Sequence, residues 1–215
     1  DDQAPEIGYF HSHIDAADIA ATAVPILTDA LGAGIEILTE PGRSMTSNAA
    51  VCLASVEGIK ERAGTRWLYL DTGYSVLPES GFGWYFHMVT ANRAADMETA
   101  QMRVVGPLCD SIDVYFDMEG ESKLAALLAA EPALKAHEAL LRSKLVHMPP
   151  MRELPAATGP GDVVAILDTG AYQIEMANHY CGRLRPAAVM VGENGGISFI
   201  RRRDTLEDLT AAEEF

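Results

Sequence analysis

Paired cysteines and clustered metal ligands are both missing from this chain. Its three cysteines cannot form a closed set of disulfides and show no Cys-x-x-Cys spacing, so free thiols in a reducing compartment are expected. His11 and His13 are one residue apart, but no cysteine or further histidine stands nearby, so no metal site is predicted.

Basic residues and long apolar runs are also scarce. The chain has 16 basic and 31 acidic residues, and the only basic run is at 201–203. The resulting net charge of -15 argues against nucleic acid as a partner. No apolar run approaches the roughly 20 residues of a membrane span, and no basic flank precedes an apolar stretch. A cytoplasmic protein without a membrane segment is the simplest prediction.

The apolar residues that are present, 48% of the 215, are enough for a buried core. Helical spacing over 12–31, with Pro25 expected to kink or divide the helix, is followed by a β-branched run at 35–39 that predicts a strand. A mostly β fold is then expected, either a β-sandwich or a Greek-key barrel. Further strands are predicted at 51–59, 67–71, 83–90, 102–105, 114–116, 163–167, 187–191 and 197–201.

A helical insertion interrupts the β pattern over about 118–151. Leucines recur among alanines and charged residues over 121–144 and predict two helices, with Pro132 in the first turn of the second. The proline-rich stretch 149–160 predicts a loop that returns to the sheet.

The Glu-Pro-Gly-Arg segment at 40–43 combines an acid, a rigid turn and a guanidinium. Gly42 allows backbone N–H groups to approach an anion, and Arg43 can pair with a phosphate or a carboxylate through two parallel hydrogen bonds. This pattern suits an anionic cofactor or substrate. A surface turn with an incidental pair between Glu40 and Arg43 is the alternative, and the four residues alone do not separate the two.

The segment Gly-Pro-Leu-Cys-Asp-Ser-Ile-Asp at 106–113 places a thiol beside a carboxylate after a tight turn. The pKa of a thiol lies near working pH, so a thiol at Cys109 is a candidate proton donor to a carbanion. Asp110 can bind an ammonium group of a substrate. The alternative is a cysteine that packs as a small apolar residue beside a turn acid.

The segment Asp-Thr-Gly-Ala-Tyr at 168–172 follows a predicted strand. A phenol can pack beside a cofactor ring while its hydroxyl binds a phosphate or a carboxylate, so Tyr172 is the candidate residue here. The alternative is a core tyrosine next to a strand turn.

Taken together, the three segments resemble the C-terminal portion of pyridoxal-phosphate-dependent amino acid decarboxylases of the alanine-racemase-fold group, which contains diaminopimelate and ornithine decarboxylases. The match extends nearly continuously over 34–209 apart from the insertion. The resemblance implies that 1–60 is the terminal part of a TIM-type (β/α)8 barrel that binds pyridoxal 5'-phosphate. It implies that 61–215 is the C-terminal β-domain.

The resemblance also implies roles for individual residues. Glu40 would contact the pyridine nitrogen and keep it protonated, so that the ring accepts electrons more readily. Gly42 and Arg43 would serve the phosphate or the substrate, and Tyr172 would contact both cofactor and substrate. Cys109 corresponds to the family's proton donor, which acts in the partner subunit's active site. A homodimer with shared active sites is therefore implied.

The substrate positions depart from the diaminopimelate pattern. In an ungapped register from His87, Glu79 and Gly83 stand where diaminopimelate decarboxylases have an arginine and a tyrosine that hold a substrate carboxylate. An acid in place of a cation favours a distal ammonium over a distal carboxylate. Asp110 agrees, since ornithine-type enzymes have Cys-Asp where diaminopimelate enzymes have Cys-Glu. We expect a diamino acid such as ornithine or lysine, or a specialised biosynthetic substrate, with diaminopimelate as the other family option.

The family's cofactor-anchoring lysine has no counterpart in this sequence. A complete enzyme would then need a barrel from the same polypeptide or from another chain. A non-catalytic homologue that acts as a binding or regulatory subunit is the alternative function, because such a protein would also lack the lysine. The four lysines are Lys60, Lys123, Lys135 and Lys144.

Overall fold

The computed structural model describes residues 16–32, 34–93 and 98–214. They form two compact units, the first ending at Gly42 and the second beginning at Arg43. None of the helices in this described part has the length and apolarity needed to cross a membrane. The helices are α1 (Ala16–Leu31), α2 (Arg43–Thr46), α3 (Met118–Ala130), α4 (Glu138–Leu145) and α5 (Leu206–Thr210). The strands are β1 (Cys52–Arg62), β2 (Thr65–Leu70), β3 (Met88–Thr90), β4 (Thr99–Val105), β5 (Arg152–Pro155), β6 (Val163–Ile166), β7 (Ala188–Val191) and β8 (Ile197–Arg201).

The first unit contains α1. The predicted helix is present over the described residues, and the part predicted before Ala16, with His11 and His13, lies outside them. Pro25 lies inside α1 without dividing it. The strand predicted at 35–39 is not formed, because no described strand pairs with this segment and an extended chain needs a neighbour for its backbone groups.

The second unit is built on a six-stranded sheet with the strand order β3-β6-β1-β2-β4-β5. The long central strand β1 pairs antiparallel with β2 on one side and with β6 on the other. β2 and β4 run parallel, and β5 returns antiparallel to β4. The sheet curls into a nearly closed barrel, so the predicted mostly β fold is confirmed. The pair β7-β8 forms a separate two-stranded ribbon.

Side chains rather than a strand ladder link the two edges of the barrel. The guanidinium of Arg152, the first residue of β5, donates to the carbonyl of Phe86 just before β3 at 3.2 Å. It also donates to the carbonyls of Tyr115 at 2.8 Å and Pro149 at 3.0 Å. Arg152 is only 3% exposed. Its charge is stabilised because several carbonyl oxygens surround it.

The barrel core follows from alternation along the strands. In β1, Ala54 and Val56 are buried, whereas Leu53 and Ser55, each one position earlier, are exposed. This alternation is the two-residue period of a strand. Burying these side chains contributes roughly 1.5–3 kcal/mol for each large one. The buried core residues are Ala54, Val56, Leu68, Leu70, Leu77, Phe86, Met88, Met102, Val104, Tyr115, Leu154, Val164 and Ile166.

The predicted helical insertion is confirmed as α3 and α4. Pro132 lies at the start of a 3-10 segment, Pro132–His137, rather than in the first turn of α4. Asp117 joins the two ends of the insertion: one carboxylate oxygen accepts the N–H of Gly120 at 2.8 Å, and the other accepts the N–H of His147 at 2.8 Å. The insertion therefore leaves and re-enters the domain at one point.

Three predictions about strands need correction. The predicted loop at 149–160 contains β5, because the segment between its prolines pairs with β4. The run at 83–90 forms a strand only in its last three residues, Met88–Thr90. A 3-10 turn, Pro78–Ser80, precedes the run. The run at 114–116 makes a single bridge between Val105 and Val114, because the loop before it folds back at once.

We predict that the Arg152→Met variant loses about 2–4 kcal/mol of unfolding free energy, because several buried carbonyls lose a charged donor. Urea denaturation of the 215-residue chain measures this. Arg202→Met is the control, since Arg202 is exposed and its ion pair with Asp208 lies at the surface, where ion pairs contribute little. Equal losses in the two variants would contradict a structural role for Arg152.

Candidate active site

Arg43, the first residue of α2, carries a positive charge that is held between aromatic rings. Its guanidinium carbon lies 3.6 Å from the centroid of the Trp84 ring and 5.2 Å from that of Tyr172. Nη2 is paired with the Glu79 carboxylate. Nη1 is buried and has no hydrogen-bond partner among the described residues. Because a buried N–H group without an acceptor is unfavourable, Arg43 is suited to bind an anion.

Glu79 lies in a 3-10 turn, Pro78–Ser80, with its carboxylate against Arg43. The same oxygen accepts the side-chain N–H of Gln173 at 2.8 Å. Gln173 is 2% exposed, so this contact is shielded from water. Opposite charges in contact largely cancel at a distance, so the pair presents little net charge to a ligand. We call Arg43, Glu79, Trp84, Tyr172 and Gln173 the Arg43 cluster.

The loop 168–172 is fastened to the end of α2. The N–H of Gly170 donates to the carbonyl of Ser47 at 2.8 Å, and a Cβ at Gly170 would overlap the carbonyl of Thr46. Tyr172 adopts a φ of +59°, a left-handed conformation that is unfavourable for tyrosine. The loop thus holds the Tyr172 ring near Arg43 in a strained backbone conformation.

The loop 106–113 is built around the carboxylate of Asp113, which is 2% exposed. Oδ1 accepts the N–H of Tyr74 at 2.6 Å, and Oδ2 accepts the N–H of Leu108 at 2.6 Å. Gly106 makes room for this carboxylate, since a Cβ there would overlap it. Burial raises the pKa of Asp113 although the two donors act in the opposite direction.

Cys109 and Asp110 lie on the solvent side of this loop. Cys109 is an exposed free thiol. One Asp110 oxygen accepts the N–H of Ile112 at 3.0 Å, and the other accepts the hydroxyl of Tyr180 at 2.8 Å. These donors lower the pKa of Asp110 below its ordinary value, in that order of importance. Asp110 is therefore a carboxylate at neutral pH.

Tyr74 connects the two parts of the site. Its backbone N–H holds Asp113, and its ring lies edge-on to the rings of Tyr180 and Phe82, with centroids 6.0 Å and 6.2 Å away. Phe82 follows the turn that carries Glu79, and the N–H of Phe82 donates to the carbonyl of Glu79 at 3.1 Å. A row of aromatic rings therefore runs from the 106–113 loop to the turn that follows Glu79.

Three predicted site residues meet in the Arg43 cluster, and Cys109 and Asp110 share the 106–113 loop. Glu40 and Gly42 lie in the first compact unit, and their cofactor roles stay predictions. In the described part of the chain, no group of three acidic, histidine or cysteine side chains could hold a metal ion. The residues that position the site but were not assigned to it from the sequence are Tyr74, Trp84, Asp113, Gln173 and Tyr180.

Comparison with known proteins identifies the class to which this site belongs. A family model described as pyridoxal-dependent decarboxylase, C-terminal sheet domain, matches residues 15–127, which is more than half of the 215 residues. The chain therefore belongs to the pyridoxal-dependent decarboxylase family, and its barrel is the C-terminal sheet domain of that family.

The relatives include several diaminopimelate decarboxylases. That of Methanocaldococcus jannaschii is 30% identical over 176 residues, which are 81% of this chain and 32% of the relative. That of Escherichia coli K12 is 29% identical over 190 residues, which are 85% of this chain and 38% of the relative. The chain thus spans about a third of these relatives' lengths. A crystal structure of diaminopimelate decarboxylase from M. jannaschii in co-complex with L-lysine is 25% identical with a TM-score of 0.69, covering 96% of this chain and 40% of that one.

We predict that the Asp113→Asn variant loses about 1–3 kcal/mol of unfolding free energy. The side-chain amide has one oxygen and one NH2 group, so one of the two backbone N–H groups would face a donor and lose its acceptor. Urea denaturation measures the loss, and hydrogen exchange should show faster exchange of the Tyr74 and Leu108 amides. Asp110→Asn is the control for stability, since its amide oxygen can still accept the Ile112 N–H. Unchanged exchange at Tyr74 in Asp113→Asn would refute this role.

Proposed function

We propose that this chain supplies the C-terminal part of the active site of a pyridoxal-phosphate-dependent decarboxylase that acts on a diamino acid. The buried Nη1 of Arg43, which has no acceptor among the described residues, carries this proposal. A fixed cation with an unused donor between two aromatic rings is the arrangement that a phosphate or carboxylate ligand needs. The membership of the chain in the decarboxylase family supports the same assignment.

The residues present fit pyridoxal phosphate and its amino acid substrate. Arg43 offers its Nη1 donor to a phosphate or carboxylate oxygen, and the exposed Tyr172 ring lies beside it. Glu40 is assigned to the pyridine nitrogen, and Gly42 to the approach of the anion. When bound, the cofactor accepts the electron pair that the departing carbon dioxide leaves behind.

Cys109 is assigned as the proton donor. Its thiol is exposed, and the loop that carries it is fixed from within by Asp113. An exposed thiol on a rigid loop can reach into a neighbouring site and place its proton on the substrate carbon. We assign that site to the partner subunit of a homodimer, as the family resemblance implies.

The charges favour a substrate with a distal ammonium group. Glu79 pairs with Arg43, and the one donor that Arg43 keeps unused is already assigned to a phosphate or carboxylate, so the Arg43 cluster has no second cation for a distal carboxylate. Asp110 is ionised, and no lysine or arginine forms an ion pair with it among the described residues. Ornithine and lysine are therefore preferred to diaminopimelate.

The cofactor-anchoring lysine is assigned to a barrel outside this chain, in the same polypeptide or in another. Lys60 lies on the exposed end of β1, and Lys123 pairs with Glu119 on the surface of α3. Lys135 and Lys144 belong to the helical insertion and are exposed. The domain boundary near residue 60 and the cytoplasmic location remain part of this proposal.

A non-catalytic binding or regulatory subunit is the second candidate, because no lysine stands in the Arg43 cluster. The complete protein separates the two. A decarboxylase takes up pyridoxal phosphate, develops a visible absorption band and retains the cofactor after borohydride reduction. A non-catalytic homologue shows neither property.

In the complete protein, the Cys109→Ala variant should lose roughly a hundredfold or more in turnover while it keeps the absorption band of the bound cofactor. Steady-state decarboxylation together with the visible spectrum measures both. Cys181→Ala is the matched control, since Cys181 is also an exposed thiol but lies outside the 106–113 loop. An unchanged rate in Cys109→Ala would rule out its assignment as proton donor.

The complete enzyme should turn over L-lysine or L-ornithine with a kcat/KM at least about tenfold above that for meso-diaminopimelate, because Asp110 repels a distal carboxylate. The Glu79→Arg variant should move this ratio towards diaminopimelate, since it adds a second cation beside Arg43. A strong preference of the unmodified enzyme for diaminopimelate would disprove the substrate assignment.

A further inference from the structure

We propose that Tyr180 is a specificity-determining residue, whose hydroxyl holds Asp110 as the anionic receptor for the distal ammonium group of the substrate. This inference rests on the proposed decarboxylase function and extends it to a residue that does not belong to any of the three sequence segments. It makes Tyr180 a positioning residue, because it acts through Asp110.

Two donors from different elements fix the Asp110 carboxylate. The N–H of Ile112, within the same loop, binds Oδ1 at 3.0 Å, and the hydroxyl of Tyr180 binds Oδ2 at 2.8 Å. Since each oxygen has its own donor, the plane of the carboxylate cannot rotate freely. Without Tyr180, Asp110 would be a short surface side chain held at only one oxygen.

Tyr180 is itself held in place. Its N–H donates to the side-chain oxygen of Asn178 at 2.9 Å, and the N–H of Asn178 donates to the carbonyl of Ser75 at 2.9 Å. The ring lies edge-on to Tyr74 at an interplanar angle of 82°. The Tyr180 hydroxyl therefore occupies a defined position relative to the loop that carries Cys109.

The segment around Tyr180 contacts the 106–113 loop a second time. The side chain of Arg183 donates to the carbonyl of Pro107 at 3.2 Å. The two segments are thus joined at both ends of the stretch that contains Cys109. A receptor built on this contact keeps the distal end of a substrate at a constant distance from the proton donor.

Glu79 and Asp113, the other acids of the Pro78–Ser80 turn and the 106–113 loop, cannot serve as the receptor. Glu79 is already paired with Arg43 and bound by Gln173. Asp113 is buried, and both of its oxygens accept backbone N–H groups. Asp110 is the acid of this group with an ionised oxygen pair near solvent and no cationic partner among the described residues. An ammonium group can bind it through lone pairs that the two donors leave free.

The Tyr180→Phe variant tests this inference, because it keeps the ring against Tyr74 and removes only the hydroxyl. In the complete enzyme, we expect the KM for L-lysine to rise about three- to tenfold with kcat nearly unchanged, since a hydrogen bond to a charged group is lost. The inhibition constant of L-norleucine, which lacks the distal ammonium, should not change. Tyr69→Phe is the matched control, since Tyr69 lies in β2 and no hydrogen bond joins it to Asp110 among the described residues.

A second readout does not require activity. In the 215-residue chain, carbon NMR titration of Asp110 should give a pKa below the ordinary 3.8 of aspartate, and Tyr180→Phe should raise it. Asp113 interacts electrostatically with Asp110 and with Arg183, and both Asp113 and Arg183 are retained in the variant. The Tyr69→Phe control should leave the titration of Asp110 unchanged.

The outcomes separate this inference from the proposed function. Equal weakening of L-lysine and L-norleucine in Tyr180→Phe, or an unchanged Asp110 titration, would overturn the role of Tyr180 while leaving the decarboxylase assignment intact. If the complete protein decarboxylates no amino acid, the proposed function and the ammonium receptor both fail, whatever the titration shows.

Discussion

A carboxylate buried between two loops, with a backbone nitrogen 2.6 Å from each oxygen, fixes the candidate-site side of this domain. Asp113 accepts one N–H from the segment that leads to the Glu79 turn and one from the segment that carries Cys109. Each loop alone would have many accessible conformations. Joined through one buried group they have few, and the positions of the thiol, of Asp110 and of the aromatic row follow from this constraint.

Charge is arranged in two different ways on either side of that carboxylate. The Arg43 cluster is nearly neutral overall but keeps one donor unused, whereas Asp110 keeps its negative charge and has its oxygens oriented by neutral donors. In the proposed homodimer the 106–113 loop serves the partner's active site, so the two groups of one chain would belong to two different active sites.

The helices and strands could be predicted from the sequence more accurately than the residues at which they begin and end. Short runs of strand-forming residues bounded by turn residues identified β1, β2, β4 and the ribbon, because this pattern is contained in neighbouring residues. β5 was missed because prolines flank it and its first residue, Arg152, is a buried cation whose carbonyl partners come from distant segments. The strand predicted at 35–39 is absent because strand formation depends on a neighbour, which no local pattern reveals.

In the candidate site too, local sequence patterns identified some residues and missed those whose contacts are distant in the sequence. Cys109, Asp110, Arg43 and Tyr172 could be identified because they belong to segments whose chemistry is contiguous in the sequence. Tyr180 and Gln173 could not, since each acts on a residue at least 70 positions away. Glu79 was identified from the ungapped register with diaminopimelate decarboxylases, but its pairing with Arg43 is visible only in the structure.

Asp117 receives the N–H groups of Gly120 and His147 on its two oxygens, although these residues are far apart in the sequence. The chain between them is therefore a closed excursion whose ends are already together, and altering its length adds little further loop-closure entropy. The length of this hairpin of helices is therefore only weakly coupled to the register of the barrel strands. The two ends of the insertion thus form a single attachment point on the domain.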